Sequence, residues 1–264
     1  MIVFPLCVLT VLGLVVGSFL NVVVYRVPRG EPLAYPPSHC PLCLSPVRHR
    51  HNVPVLGWLI LRGRCADCRA RISIRYPLVE LVTGLLFLAI AAWATGSHLI
   101  GALLAFLYFA SIGIALGLID LDTHRLPNTI VLPSYPVLAI LLTLAAGWQQ
   151  DWWALARAGI GAAALLGFYC SLVVIYPAGM GWGDVKLAGL VGAMLGYLSW
   201  SALLVGSFGG FFLGALVGIT VIAAGRGNRG SALPFGPFMM AGALVAIFAA
   251  GPIARAGLSL VAKA

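Results

Sequence analysis

Apolar residues along this chain fall into long blocks separated by short polar breaks, and one long polar segment follows the first block. A helix needs roughly 20 apolar residues to cross about 30 Å of hydrocarbon. Eight blocks meet or approach that length: 2–25, 78–96, 99–118, 129–147, 154–176, 185–200, 202–224 and 234–254, the sixth being short. The pattern divides the chain into a first transmembrane helix (1–25), a polar loop domain (26–77) and a membrane core (78–255). Met1 to Val24 carries no basic residue and no evident small-residue cleavage site, which predicts a retained span rather than a removed signal peptide. Leu126-Pro127-Asn128 is expected to break one helix and start the next.

Composition turns this pattern into a fold class. The chain is 61% hydrophobic and 9% charged, with a mean hydropathy of +1.04, which excludes an ordinary soluble domain. The expectation is an all-α integral membrane protein of about eight transmembrane helices. Gly192 and Gly196, Gly206 and Gly210, and Gly214 and Gly218 are small-residue pairs one turn apart, suited to close helix packing in lipid. Cys7 and Cys170 fall inside predicted spans and are expected to be packing residues.

The net charge of +9 invites a nucleic-acid reading, but its distribution argues against one. Nine of the 16 basic residues lie between Arg26 and Arg75, as the positive-inside rule predicts for a cytoplasmic loop. Such a loop also suits anionic lipid headgroups. With it inside, Arg125, Lys186, Arg226 and Arg229 fall inside too, whereas Arg157, Arg255 and Lys263 fall outside with both termini. The breaks at 119–128 and 177–184 then share the cytoplasmic side.

Cys40-Pro41-Leu42-Cys43 and Cys65-Ala66-Asp67-Cys68 lie in the polar loop as two Cys-x-x-Cys knuckles. This is the usual way to place four thiolates tetrahedrally around zinc, and four thiolates leave no open position for catalysis. Zinc is therefore expected to be structural, ordering a loop that has little core of its own. His39, His49 and His51 are read as surface residues.

Seven acidic residues are present, and two stand at the edges of apolar runs: Asp120, and Asp184 at the end of Gly179-Met180-Gly181-Trp182-Gly183. Ionisable groups at membrane depth usually mark function. Taken singly, Asp184 reads as a helix cap, with Lys186 as a partner, and Asp120 as part of a salt-bridged loop with Asp122, His124 and Arg125. Taken together, two carboxylates on one membrane face can share a proton and activate water for peptide hydrolysis. Glycines before Asp184 let a substrate strand approach. From the residues alone, Asp122 competes with Asp120. Glu80, about one turn into the second span, pairs with Arg75 or faces a substrate or cofactor amine.

These strings resemble the type IV prepilin peptidases, the bifunctional leader peptidases and N-methyltransferases of pilus and type II secretion systems. The resemblance rests on Gly17-Ser18-Phe19-Leu20-Asn21-Val22-Val23 with Tyr25-Arg26-Val27-Pro28, on both cysteine knuckles, and on Asn52-Val53-Pro54 and Leu61-Arg62-Gly63-Arg64-Cys65. It continues through Tyr76-Pro77-Leu78-Val79-Glu80, Asp120-Leu121-Asp122 with Leu126-Pro127-Asn128, the Gly179-to-Lys186 string and Pro234-Phe235-Gly236-Pro237-Phe238. It implies catalytic Asp120 and Asp184 in preference to Asp122, an active-site loop with Gly181, Gly183 and Lys186, and zinc on Cys40, Cys43, Cys65 and Cys68. It further implies prepilin or pseudopilin substrates cleaved after a glycine at the cytoplasmic face of the bacterial inner membrane, and methylation of the new amino terminus by S-adenosylmethionine. No strand followed by a Gly-x-Gly-x-x-Gly turn is present, so the cofactor follows from the resemblance alone, with Glu80 and the inner loop as candidates for its site. A peptidase without methyltransferase activity is the main alternative. A general intramembrane aspartyl protease would not require the cysteine loop, and a transporter or scaffold would use its carboxylates for a cation path.

Overall fold

The computed structural model describes residues 3–97, 99–177, 180–225 and 234–261, with side chains to residue 253. Gly179, Arg226, Arg229 and Lys263, and the side chain of Arg255, lie outside the described residues. Each apolar block becomes one helix. In chain order these are α1 (Val3–Arg26), α3 (Arg75–Gly96), α4 (Leu103–Thr123), α5 (Asn128–Gln149), α6 (Trp152–Ile175), α7 (Trp182–Leu198), α8 (Trp200–Ala223) and α9 (Gly236–Val261). A five-residue helix, α2 (Leu56–Ile60), lies in the polar loop. Among the described residues there is no β-strand, only two isolated bridges.

Seven of these helices are long and apolar enough to cross a membrane, so the chain is a multi-pass membrane protein. The exception, α7, has 17 residues, about 25 Å of helix. Protein encloses it: Leu187 to Gly192 and Met194 to Tyr197 are all buried. The third block runs further than the hydropathy suggests. Nothing breaks the helix until His124, which adopts a positive φ of 51°, followed by Pro127. Asp120 therefore sits inside α4, one turn before its end, and not at the end of the span.

The chain forms two compact units, Met1–Leu103 and Leu104–Ala264. In the first, α1 packs along α3 through small residues. A Cβ on Gly17 would lie 2.7 Å from the Glu80 Cα, and one on Gly13 would lie 2.8 Å from the Gly84 Cα. The backbones can approach this closely only with hydrogen at those positions. Asn21 Nδ2 donates to the Tyr76 carbonyl at 3.1 Å and fixes the register of the pair. At the end of α1 the buried Arg26 guanidinium donates to the carbonyls of Pro32, Leu33 and Pro36, gathering the chain that leaves the helix. Gly17→Val is expected to force α1 from α3 and cost about 1–3 kcal/mol of stability, read as a lower thermal transition in detergent and faster proteolysis. Cys7, expected to be packed, is instead exposed on α1, because α1 offers α3 the face that carries Gly13 and Gly17.

In the second unit α7 lies against α6, where a Cβ on Gly161 or Gly192 would strike the other residue's carbonyl. The Arg157 guanidinium donates to the carbonyls of Gly196, Tyr197 and Leu198 and satisfies the C-terminal end of α7. Asp151 and Ser199 cap α6 and α8 through the amides of Ala154 and Ala202. Gly206 and Gly210 of α8 meet Ala243 and Met239 of α9. The Tyr135 hydroxyl of α5 donates to the Lys186 carbonyl at 2.6 Å, tying α5 to the first turns of α7.

Candidate active site and metal centre

Asp120 and Asp184 reach the second unit's candidate site from different helices, and each is held by a backbone amide. Asp120 is 5% exposed, and its Oδ2 accepts from the Gly236 N–H at 3.0 Å in a buried contact between residues 116 apart. Gly236 is the first residue of α9, where an amide has no intrahelical acceptor and is free to serve a carboxylate. Asp184 is the third residue of α7, and its Oδ2 accepts from the Gly181 N–H at 3.2 Å. The helix-cap reading of Asp184 therefore holds geometrically, and it does not exclude a second role. The two carboxylates lie within electrostatic reach of one another. Because each uses Oδ2 on an amide, each keeps Oδ1 for a shared proton or a water.

Three further contacts hold this arrangement. Leu126, in the break between α4 and α5, lies beside both Gly183 and Gly236, so one side chain borders the first turns of α7 and α9. Lys186 Nζ donates to Asn128 Oδ1 at 3.0 Å, not to Asp184, and joins the starts of α5 and α7. Tyr169, 1% exposed and within electrostatic reach of Asp184, packs on Phe211 and Phe235. Asp122 is exposed two residues beyond buried Asp120, on the other side of α4. Gly181 is exposed and Gly183 half-buried, so the string before Asp184 borders open space. The sequence placed Leu126 in a helix break and Gly236 in a motif string without linking either to the aspartates, and it gave Tyr169 no role. The Pro-Phe-Gly-Pro-Phe and Leu-Pro-Asn strings were the available signal for the first two, and a phenol in the middle of an apolar block for the third.

The first unit brings the four predicted cysteines together. All four sulfurs lie within 4.8 Å of one another, with Cys40 and Cys68 at 3.8 Å and Cys43 and Cys65 at 3.9 Å. A tetrahedral thiolate site with metal–sulfur bonds of about 2.3 Å separates its sulfurs by about 3.8 Å. The knuckles repeat one backbone pattern. Cys40 N donates to Ser45 O and Leu44 N to Cys40 O; Cys65 N donates to Ala70 O and Arg69 N to Cys65 O. Leu44 and Arg69 both take the left-handed φ that closes such a turn, 58° and 61°. The Ser45 hydroxyl and amide hold Cys43 down at about 6, and the amides of Cys68 and Asp67 lower Cys65. Cys68 receives the Ala70 amide, yet the neighbouring thiols and burial push it up to about 12. Four sulfurs this close cannot all ionise without a cation among them, so the group could hold a metal ion. His39 and His49 are exposed, and among the described residues no histidine joins the group. Arg48 bridges to Asp67 at 3.0 Å between the knuckles, an exposed pair of small energetic weight.

Glu80 is buried, and its Oε2 accepts from the Val55 N–H at 2.6 Å, fixing the start of α2 beside α3. Val55 holds a positive φ of 61° at that point.

Comparison with known proteins agrees with this division. A family model described as "Bacterial Peptidase A24 N-terminal domain" matches residues 11–94, and one described as "Type IV leader peptidase family" matches residues 107–219. The "Prepilin leader peptidase/N-methyltransferase" of Pseudomonas putida is 37% identical, over 96% of this chain and 93% of its own. A protein of the same name from Neisseria gonorrhoeae is 36% identical, over 89% and 87%. The "Type 4 prepilin-like proteins leader peptide-processing enzyme" of Escherichia coli O78:H11 is 38% identical, over 90% and 92%. No solved structure matches. With both halves of the sequence matched and such relatives aligned over most of its length, this chain belongs to the type IV leader peptidase family.

Proposed function

We propose that this chain is a membrane aspartyl endopeptidase that removes the basic leader from type IV prepilins or pseudopilins, after a glycine, and then N-methylates the new amino terminus. The observation that carries the reading is the pairing of Asp120 and Asp184 at amide-held positions in one unit. Catalysis runs on the two Oδ1 atoms. The ionised carboxylate takes a proton from water as the oxygen attacks the scissile carbonyl. The protonated one donates to the carbonyl oxygen and, as the tetrahedral intermediate collapses, a carboxylic acid returns a proton to the leaving amine. The proton belongs to the pair as a unit. The Lys186–Asn128 contact and Leu126 hold the helix starts that carry this chemistry, and Gly181 and Gly183 leave room for an extended substrate.

The family's methyl donor is S-adenosylmethionine, which supplies an electrophilic methyl group when bound. Glu80 is committed to the Val55 amide and buried, so we assign it the role of a positioning residue that holds the inner loop, and route no step through the cofactor. The substrate's basic leader and apolar helix meet at the membrane surface. The concentration of basic residues at Arg26–Arg75 supports an inner-membrane protein with this surface facing the cytoplasm. On this reading 1–25 anchors the chain, 26–77 is the metal-ordered loop, and 78–255 is the peptidase core. The chemistry of four thiolates selects zinc.

The test is to incubate purified protein with a prepilin and S-adenosylmethionine and read the mature terminus by mass spectrometry. The reading expects cleavage after glycine and one added methyl group. Cleavage without methylation would leave a peptidase only, and an intact prepilin would overturn the reading. For the metal, one zinc per chain is expected by elemental analysis. Cys43→Ser should remove most of it and open residues 26–77 to protease while the spans stay protected. Protection of the loop without metal would contradict a structural role.

A further inference from the structure

Beside the cysteine cluster, the loop of the first unit carries a groove of about 620 Å³ lined by Ile60, Leu61, Arg62, Arg64 and Arg69. Its three arginines are exposed and have no carboxylate partner among the described residues. The backbone holds them in a built turn. Arg62 takes a left-handed φ of 50°, Gly63 N donates to Trp58 O, Arg64 N to Leu61 O, and the Trp58 indole to Ile72 O. Arg69 follows the second knuckle and Arg64 precedes it, so the turn of that knuckle brings all three arginines onto one groove.

What faces the groove follows from the depth of α2. Val55 donates to Glu80, which is the sixth residue of α3 and so about 7–8 Å along it from its first residue. The start of α2 is thereby fixed beside a residue about one turn and a half into a membrane span, close to its end. Leu56, Leu59 and Ile60 of α2 are 55%, 55% and 67% exposed. Three large apolar side chains on a five-residue helix at that depth meet the boundary of headgroups and acyl chains, where amphipathic segments bury their apolar face. Arginines directly after them then stand at headgroup level, and guanidinium groups bind phosphate by paired donors. A basic leader peptide is the wrong sign for this groove.

We propose that the groove is a binding site for the headgroup phosphate of an anionic phospholipid, with α2 lying in the membrane interface as its apolar half. The lipid would fill the groove between Ile60 and the three arginines and hold the metal-ordered loop against the bilayer.

The experiment uses the full chain in nanodiscs of mixed phosphatidylcholine and phosphatidylglycerol, with lipids retained after detergent extraction counted by native mass spectrometry. Arg62→Gln/Arg64→Gln/Arg69→Gln is compared with Arg48→Gln/Arg50→Gln/Arg71→Gln, which removes the same charge outside the groove. Wild type is expected to retain phosphatidylglycerol over phosphatidylcholine. The groove variant should lose that preference by about tenfold or more, and the control variant should keep it. Full metal content in both variants establishes folding. Should the triple change lower it, Arg64→Gln alone is expected to weaken retention several-fold. Equal retention in the groove variant and wild type, or equal loss in groove and control variants, overturns the proposal. So does complete displacement by glycerol phosphate at the same concentration, which would mark a site for a soluble anion.

Discussion

Asp120→Asn and Asp184→Asn are each expected to lower leader cleavage by about a thousandfold or more. The amide hydrogen bonds explain why the loss would be chemical. An asparagine carbonyl still accepts from the Gly236 or Gly181 N–H, so the helix starts that deliver those amides keep their anchor. What is lost is the charge and the proton on the second oxygen, which hydrolysis needs. Asp122→Asn, on the exposed side of α4, should stay within a few-fold of wild type. Mass spectrometry of the product gives the rate, and methylation of a pre-cleaved pilin reports folding. Retained methylation with lost cleavage would also place the two activities on separate residues.

Gly236→Ala is expected to reduce kcat about a hundredfold with little change in KM. A Cβ at Gly236 would lie 2.8 Å from Asp120 Oδ2 and 3.5 Å from Leu126 Cδ2. The carboxylate would have to leave the amide that aims it, or α9 would have to move back from α4. Either displaces one reacting oxygen, and displacements near 1 Å are costly in a preorganised site. Substrate contacts elsewhere are untouched, which is why KM should hold. Gly181→Ala supplies the contrast, since a Cβ there makes only ordinary contact with Asp184, at 3.6 Å, and should be tolerated several-fold better. Similar rates for Gly236→Ala and wild type would remove α9 from the site.

The spans were legible because lipid demands unbroken apolar helices, and the boundaries failed where hydropathy and helix breaking part company. Block 99–118 stopped at the last apolar run, but helix α4 continues to the left-handed His124, carrying Asp120 inward. The four cysteines were legible from spacing alone, since paired knuckles leave few other geometries. The Gly236 contact to Asp120 was not, because it joins residues 116 apart and uses a backbone amide, which no side-chain pattern reveals. Gly13, Gly17 and Gly84 show the same limit. Gly17 was visible as part of a motif, yet only the packed pair shows that it meets the Glu80 backbone. Lys186 was read as a partner of Asp184 from proximity in sequence, and it reaches across to Asn128 instead.

The most direct test of the paired-aspartate account is single-turnover cleavage of a prepilin by wild type, Asp120→Asn, Asp184→Asn and the double variant. The account predicts that the double variant is about as slow as the slower single variant, because residues acting as one unit lose their function once. Losses that multiply, or substantial cleavage surviving in either single variant, would contradict it.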